Sequence, residues 1–338
     1  MKFSSYPFFA TLLGLVTLSA CGKDPAPIAA SSESAPKPIV VDQKMMEATR
    51  QIDEEAAKAA AKLRADAGPK VLRFSGIPNQ NTTELAERYA PLAKYLSEKL
   101  KVTVEYVPSV DYNAAVDSFK NGDLQLCWFG GFTGVQARAA VPNARAIACG
   151  LRDKAFKSYF IANQSLGLKP DIDFPMSFKG KTFTFGSQQS TSGRLMPEHF
   201  IRQATKLSPK EFFGSEPGFS KSHDQTLELV AAGTFETGVV DYTVYDKRAK
   251  EGKIDPDVVV VVWETPAYYD YQFTAHPVLE ETFGAGFTDR LQNVLVAMRG
   301  DDLKYLAALD RDEGGLIVCK NEDFDALKKT ALDLGLLR

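Results

Sequence analysis

The chain has 338 residues, of which 44% are hydrophobic and 25% charged, a composition typical of a folded soluble protein with room for two domains. Its 40 basic and 43 acidic side chains give a formal net charge of -3. The chain therefore lacks the basic excess that would indicate a nucleic-acid partner. An anionic ligand would have to be held by local groups, because the overall charge offers it no attraction.

Residues 1–21 have the pattern of an export signal. Lys2 gives a weakly positive start, residues 8–18 form an apolar core too short to cross a bilayer as a helix, and residues 18–21 read Leu-Ser-Ala-Cys. Small residues before a cysteine resemble the lipobox of bacterial lipoproteins. This resemblance implies a periplasmic protein that is lipidated at Cys21 and anchored to a membrane of the cell envelope. An ordinary signal peptide with a chance cysteine is the alternative.

The next segment changes composition twice before the packed part of the protein begins. Residues 22–39 are rich in Ser, Ala and Pro and cannot bury enough apolar surface to fold, which predicts a tether. Residues 42–66 scatter charged side chains among alanines, which predicts a solvated helix. This helix is expected to end at Gly68 and Pro69, because both residue types interrupt helices.

From residue 70 onward, short apolar strands alternate with amphipathic helices, which favours a parallel sheet with helices on both faces. Five consecutive valines at 258–262 fit a strand buried on both faces, as a parallel sheet requires. The predicted strands are 71–76, 102–107, 124–128, 144–149, 158–163, 183–185, 238–242, 258–263 and 268–275. The predicted helices cover 85–100, 111–121, 135–139, 197–204, 225–232, 287–298 and 324–334.

This order of elements predicts an α/β protein with two lobes, joined by extended crossings near residues 160 and 267. The predicted division is a signal peptide at 1–21, a tether and solvated helix at 22–68, a first lobe at 69–162 plus 268–338, and a second lobe at 163–267.

The stretch 183–197 is the most informative part of the chain. It reads as a strand, a loop of small and polar residues, and a helix that begins after Gly193. The first turn of a helix has N–H groups without internal partners and carries the positive end of the helix dipole. Three hydroxyls in a row, at Ser190, Thr191 and Ser192, therefore predict a site for a tetrahedral or carboxylate anion. A simpler interpretation is that Ser190 or Ser192 only caps the helix.

Other polar or aromatic residues follow predicted strands in the same way. They are Tyr112, the segment 128–131, His223 and Tyr269. Ligands of open α/β sheets bind at the carboxyl ends of strands, so we expect these residues to meet the Ser190 turn in one cleft.

The residues that carry a family resemblance are Asp111-Tyr112, Trp128-Phe129-Gly130, Ser190-Thr191-Ser192-Gly193 with Pro197, and His223. With the lipoprotein signal they resemble the periplasmic phosphonate-, phosphite- and phosphate-binding components of ABC importers, over roughly residues 70–335. Residues 77–84 are similar to a branch of that family often labelled selenate-binding. The resemblance implies a type II periplasmic-binding fold whose two α/β lobes close on a ligand cleft by hinge motion. It also implies an ABC permease as partner, no enzymatic activity and no cofactor.

The resemblance further implies that residues 190–192 hold the oxyanion through hydroxyl and N–H groups, with His223 and Tyr112 reaching it from the side. Because His223 donates best when protonated, binding is expected to strengthen as the pH falls toward about 6. Four or five charge-assisted hydrogen bonds of about 1.5–3 kcal/mol each can exceed the about 8 kcal/mol of micromolar binding. The predicted ligand-binding residues are Tyr112, Phe129, Ser190, Thr191, Ser192, His223, Tyr269 and Asp270.

Two departures from the family pattern bear on the ligand. Phe129 stands where the phosphonate receptors can have a tyrosine, and residues 243–245 hold no acid where aminophosphonate receptors bind the ligand amine. Asp270, beside Tyr269, is the nearest remaining acidic candidate. Both departures favour a small bare oxyanion, and phosphate, phosphite, a phosphonate, sulfate, selenate and selenite all offer similar acceptors.

Two other functions are considered. A serine hydrolase would use a serine of the central turn with His223 and Asp224 or Asp241, but the chain has no Gly-x-Ser-x-Gly pattern, and three adjacent hydroxyls suit anion binding better. A sensor lipoprotein would bind the same ligand and signal to a membrane partner. The sequence does not separate the sensor from the importer component.

Three cysteines remain after lipidation, Cys127, Cys149 and Cys319. Their spacing predicts no metal site and no disulfide framework. A disulfide between Cys127 and Cys149 is one possibility in an oxidising compartment, and buried free thiols are favoured by composition.

Overall fold

Two β-sheets, each flanked by helices, organise residues 70–80 and 82–337, the part of the chain that the computed structural model describes. These residues belong to one compact unit, Ala67–Arg338. The predicted signal peptide, the lipidation of Cys21 and the tether at 22–68 lie outside the described residues and stay predictions. Within the described part, no helix combines the length and the apolar character needed to cross a membrane.

Strands and helices alternate through most of the chain, and the predicted α/β class is confirmed. The strands are β1 (Val71–Gly76), β2 (Thr103–Tyr106), β3 (Leu126–Phe129), β4 (Arg145–Gly150), β5 (Ser158–Asn163), β6 (Phe183–Phe185), β7 (Gly218–Phe219), β8 (Thr237–Asp241), β9 (Val259–Glu264), β10 (Gln272–Ala275) and β11 (Leu316–Val318). The helices are α1 (Thr82–Leu100), α2 (Tyr112–Lys120), α3 (Gly131–Ala140), α4 (Met196–Thr205), α5 (Pro209–Phe213), α6 (His223–Ala231), α7 (Tyr242–Lys250), α8 (Val278–Phe283), α9 (Phe287–Val296) and α10 (Asp325–Asp333).

The sheet of the first lobe is mixed. Its strand order is β11-β4-β10-β3-β1-β2. β1 runs parallel to β2 and β3, whereas β10 runs antiparallel to β3 and β4, and β11 runs antiparallel to β4. The prediction of a parallel sheet is wrong for β10 and β11. The reason for β10 is that it enters this sheet on its return from the second lobe.

The sheet of the second lobe is mixed as well, with the order β7-β6-β8-β5-β9. β6 runs parallel to β7 and β8, but β5 runs antiparallel to β8 and β9. The valine-rich strand β9 therefore lies at a sheet edge, where Val259 and Val262 are buried while Val260 and Val261 are half-buried. The prediction of a parallel strand buried on both faces is wrong, because a valine run fits a half-buried edge strand equally well.

Two crossing segments, which lie side by side, connect the two sheets. The strand Ser158–Asn163 belongs to the second sheet, so the predicted lobe boundary after residue 162 lies inside that strand. The return crossing lies between β9 and β10. Phe156 and Tyr268 pair as an antiparallel bridge between the crossings, with N–H to oxygen contacts of 2.8 and 3.0 Å. Any hinge motion of the lobes is thereby confined to a few residues.

The three cysteines are buried and free. Cys127 lies in β3 and Cys149 in β4, with β10 between them. Two strand spacings of about 4.8 Å separate these residues, which exceeds the reach of a disulfide. The suggested Cys127 to Cys149 bridge is therefore excluded. Cys319 follows β11, the other neighbour of β4, and a hydrogen bond with the Cys149 thiol, together with burial, raises its pKa.

Candidate functional site

The three hydroxyl residues form a turn that leads into α4. Ser190 has an extended backbone, and its Oγ accepts a hydrogen bond from the Gly193 N–H at 2.9 Å, so Ser190 caps the helix. The next residues, Thr191–Leu195, form a wide π turn, a form that is frequent at functional sites. Thr191 and Ser192 do not cap, and their N–H groups have no carbonyl one turn earlier to pair with. The capping interpretation thus explains one hydroxyl of the three.

This turn meets the N-terminus of α3 from the first lobe. The Phe132 N–H donates to Thr191 Oγ1 at 3.0 Å, and the Gly131 N–H donates to Asp270 Oδ1 at 2.7 Å. Gly130 permits this approach, because a Cβ there would lie 3.2 Å from Thr191 Oγ1 and 3.3 Å from Asp270 Oδ1. Two helix N-termini, one from each lobe, therefore face each other with their positive dipole ends.

Asp270 brings a carboxyl group to the same place. Asp270 is 1% exposed, and this burial raises the pKa of its carboxyl group well above the usual value. Hydrogen bonds from Gly131 and Thr191 oppose the shift but do not cancel it. Asp241 and Asp153 raise it further. A carboxyl group in this environment holds a proton to higher pH than an exposed one, and a protonated Oδ2 can donate a hydrogen bond.

His223 begins α6 and lies beside the turn. Its ring Cε1 is 3.2 Å from the position that a Cβ on Gly193 would occupy, so this glycine makes room for the imidazole. The His223 N–H donates to the Asn79 carbonyl of the first lobe at 3.1 Å, and Nδ1 accepts the Asp241 N–H at 3.3 Å. Because Nδ1 is an acceptor, the proton of the neutral ring lies on Nε2.

Burial lowers the pKa of His223, while Asp241 and Asp224 oppose that shift. The neutral ring already offers an Nε2–H donor, so donation does not require protonation. The expectation that binding strengthens on acidification therefore has no support in this geometry.

Tyr112 reaches the turn from the first lobe, as predicted. It begins α2, which Asp111 caps by accepting the Ala114 N–H at 2.8 Å. Burial raises the pKa of Tyr112, Asp270 and Asp241 add to the shift, and a hydrogen bond with Ser190 opposes it. The phenol is therefore a neutral hydroxyl at the edge of the site.

Three buried polar atoms at this meeting point have no hydrogen-bond partner within the described residues. They are Ser192 Oγ, His223 Nε2 and Asp270 Oδ2. An unpaired buried polar group costs about 1–3 kcal/mol, so such atoms are rare unless a bound molecule completes their hydrogen bonding. Their chemistry, a hydroxyl, an N–H donor and a carboxyl, fits a small oxyanion.

Phe129 and Tyr269 are not among the residues that the structure brings together. The Phe129 ring is fully buried in the first lobe and packs edge-on against Phe119 at 5.5 Å. The Tyr269 ring packs against Phe324 at 5.8 Å. Gly131, two residues after Phe129, and Asp270, next to Tyr269, supply the polar groups instead.

Sequence reasoning did not predict the second layer of polar residues that supports this turn, although Asp241 was considered for another role. The Tyr271 hydroxyl donates to Asp241 Oδ2 at 3.3 Å and accepts from Asn79 Nδ2 at 3.1 Å. Ser158 Oγ donates to the Ser192 carbonyl at 2.7 Å, which fixes the turn on β5. Asp241 ends β8, so its place at the carboxyl end of a strand was the one signal available in the sequence.

The positive potential at the meeting of the two helix N-termini comes from helix dipoles rather than from an unpaired cationic side chain among the described residues. The nearby buried guanidinium of Arg311 is paired with Asp153 through contacts of 2.5 and 2.7 Å. Within the described part of the chain, no cluster of three or more His, Cys, Asp or Glu side chains could hold a metal ion. Among the described residues, His223 does not form a serine-hydrolase relay, because its Nδ1 accepts an N–H and so cannot donate to a carboxylate.

The model of a protein family, ABC transporter, phosphonate, periplasmic substrate-binding protein, matches residues 74–324. A probable ABC transporter phosphite binding protein, PhnD1 of Prochlorococcus marinus, is 44% identical over 230 residues, which are 68% of this chain and 77% of the relative. A phosphate-import protein of Mycolicibacterium smegmatis is 27% identical over 64% of this chain and 69% of its own length.

Solved structures agree with this match. PhnD1 from Prochlorococcus marinus in complex with methylphosphonate has 38% sequence identity and a TM-score of 0.74, over 79% of this chain and 99% of that chain. A binding component of a phosphonate ABC transporter from Pseudomonas aeruginosa, 17% identical, has the same fold with a TM-score of 0.67, over 78% and 86% of the two chains. The predicted type II periplasmic-binding fold is confirmed. Such proteins are importer components and not enzymes, and this chain belongs to the family of periplasmic substrate-binding proteins of phosphonate ABC transporters.

Proposed function

We propose that the protein captures a small tetrahedral phosphorus oxyanion, phosphite or methylphosphonate, and delivers it to the permease of an ABC importer. The observation that carries the proposal is the set of unpartnered buried atoms, Ser192 Oγ, His223 Nε2 and Asp270 Oδ2, at the meeting of two helix N-termini. The relatives from Prochlorococcus marinus, a probable phosphite binding protein and a methylphosphonate complex, support this class of ligand.

The ligand-binding residues in this proposal are Tyr112, Thr191, Ser192, His223 and Asp270. Ser190 contributes by capping the turn. Five donors of this kind, each contributing about 1.5–3 kcal/mol to a charged acceptor, can exceed the about 8 kcal/mol of micromolar binding before ordering costs are subtracted.

Asp270 narrows the ligand class further. Its raised pKa lets one proton lie between Oδ2 and a ligand oxygen, whether the carboxyl group or the ligand brings that proton. Phosphite, phosphate and methylphosphonate can carry a proton near neutral pH, whereas sulfate and selenate do not. The site is therefore expected to prefer the phosphorus oxyanions over selenate.

Calorimetric titration of the mature protein against phosphite, methylphosphonate, phosphate, sulfate and selenate tests the proposal. We expect dissociation constants in the micromolar range or lower for phosphite or methylphosphonate, and weaker binding of sulfate and selenate. Tighter binding of selenate than of every phosphorus oxyanion would overturn the proposed ligand class.

A lipid anchor at Cys21 is part of the same proposal. The lipobox pattern at residues 18–21 and the tether at 22–68 support it, and they would hold the receptor close to its permease. The family works outside the cytoplasm, which is where such lipoproteins are anchored.

A further inference from the structure

One carboxylate of the first lobe contacts the second lobe away from the ligand site. Asp310 follows the helical segment Gly300–Leu309, and Oδ1 accepts hydrogen bonds from Arg88 Nη2 at 2.5 Å and from Lys247 Nζ at 2.8 Å. Gln80 Nε2 lies 3.3 Å from Oδ2. Arg88 belongs to α1 of the first lobe, but Lys247 belongs to α7, which follows β8 of the second lobe. Asp310 thus joins the two lobes.

This contact is partly shielded from water. The side chain of Asp310 is 20% exposed and that of Lys247 is 34% exposed. Burial alone would raise the pKa of Asp310, but Arg88 and Lys247 outweigh it and hold the pKa below its usual value. The carboxylate is therefore ionised at neutral pH, and its pairing with Lys247 is an ion pair between lobes.

Arg311, the residue after Asp310, attaches this part of the chain to the crossings between the lobes. Asp310 has a left-handed backbone, with φ at +53°, and the Arg311 side chain enters the protein to pair with Asp153 of the first crossing. The guanidinium lies 5.3 to 5.7 Å from the ring centroids of Tyr271, Phe156 and Trp128. The Asp153 carbonyl in turn accepts the Asp270 N–H at 3.0 Å.

We propose that Lys247 and Asp310 are positioning residues whose ion pair raises ligand affinity although neither residue contacts the ligand. This inference rests on the proposed function. The pair holds the Thr191 turn and His223 of the second lobe against the α3 N–H groups of the first lobe. When the lobes separate, Lys247 returns to water while Asp310 keeps its contact with Arg88 of the same lobe, so the Lys247 contact stabilises the closed state alone. The free energy by which the pair stabilises the closed state is added to the binding free energy of any ligand that binds that state. The gain in affinity comes chiefly from slower ligand dissociation.

Two substitutions remove the ion pair with little disturbance. Lys247→Met keeps the aliphatic stem of lysine, and Asp310→Asn keeps a residue that tolerates a left-handed backbone. Each should weaken binding of phosphite and methylphosphonate about three- to tenfold, with faster dissociation and association within about twofold. The double variant should bind no more weakly than Asp310→Asn alone, because both changes remove one interaction.

Lys181→Met is the matched control. Lys181 is 34% exposed, like Lys247, and pairs with Glu236 at 3.3 Å, but both partners lie in the second lobe. It should leave affinity and dissociation unchanged. The proposal is overturned if Lys247→Met binds like Lys181→Met, or if the two effects add in the double variant.

A ligand-free measurement separates this proposal from the proposed function. Nitroxide labels at Glu98→Cys in α1 and Gln203→Cys in α4, both exposed, report the distance between the lobes while the native cysteines are buried. If the wild-type protein binds neither phosphite nor methylphosphonate, the proposed function fails. The ion pair still predicts a larger share of long distances in Lys247→Met than in wild type, and identical distributions would refute it.

Discussion

The buried carboxyl of Asp270 should make folding of the ligand-free protein depend on pH in a way that one substitution removes. Its pKa is raised by burial, so the folded state keeps a proton at pH values where the unfolded chain, with a pKa near about 3.9, has lost it. The folded state then binds more protons than the unfolded state, and stability falls as the pH rises through this window. The contribution of Asp270 to the free energy of unfolding is fully present below the unfolded-state pKa and is lost as the pH rises through the folded-state pKa.

The size of the effect follows from proton linkage. One proton gives a slope of about 1.4 kcal/mol per pH unit between the unfolded and folded pKa values. Asp270→Asn keeps an Oδ1 acceptor for the Gly131 N–H but does not titrate. The variant should therefore melt higher than wild type near neutral pH, by about 2–3 °C for each pH unit above about 4 that lies within the window.

Thermal unfolding followed by circular dichroism from pH 4 to 8 measures this difference. Titrating groups that do not interact with Asp270 cancel when the two proteins are compared at each pH. Asp289→Asn, which changes a carboxylate 64% exposed, is the control and should show no such divergence. A difference between Asp270→Asn and wild type that stays constant with pH would refute the raised pKa.

Three further changes test the site and the anchor. Thr191→Ala/Ser192→Ala should weaken binding by more than either single change, since each lost donor costs about 1–3 kcal/mol, and binding within twofold of wild type would place the anion elsewhere. His223→Gln, which keeps a donor near the Nε2 position, should weaken binding less than His223→Ala and leave its pH dependence from 6 to 8 unchanged; calorimetry at three pH values would show it. Cys21→Ser should leave the membrane fraction on fractionation or stay unprocessed, and unaltered anchoring would contradict lipidation.

Local patterns in the sequence were enough for most elements and for the central turn. Consecutive hydroxyls before a helical apolar pattern specify a helix N-terminus whatever surrounds it, so residues 190–192 were identified correctly as a turn at the start of a helix. Strand direction is different, because the antiparallel placement of β5 and β10 depends on where the chain returns between lobes. No local pattern encodes that return.

The position of the Tyr269 side chain, away from the Thr191 turn, has a simple physical cause. Side chains on extended backbone alternate between faces, so a shift of one residue moves a side chain from the cleft to the core. In the return crossing, Tyr268 contacts Ser158 at 2.6 Å and Asp270 contacts Gly131, while Tyr269 between them faces Phe324. The sequence pointed to this segment, and the pairing of the crossings decides which of its side chains face the Thr191 turn.

The absence of a cation among the groups that face one another in the described site suggests how the protein selects its ligand. In the proposed function, the N–H and hydroxyl donors at residues 191–192 hold any tetrahedral anion similarly, so they supply affinity rather than discrimination. In the proposed function, Asp270 is the group that distinguishes anions, because its Oδ2 would either donate its own proton or accept one from the ligand. An ionised Asp270 carboxylate facing sulfate would place two negatively charged groups together in a buried site, at a cost of several kcal/mol.

Asp270→Asn should therefore bind sulfate and phosphite with more similar affinities than the wild-type protein, since an amide donates to both. The measurement is the ratio of the two dissociation constants at pH 8, where the wild-type carboxyl group is most readily ionised. Asp224→Asn is the comparison, because Asp224 is also buried but pairs with Arg248 at 3.3 Å. A sulfate to phosphite ratio unchanged by Asp270→Asn, or changed equally by Asp224→Asn, would show that the discrimination arises from another group.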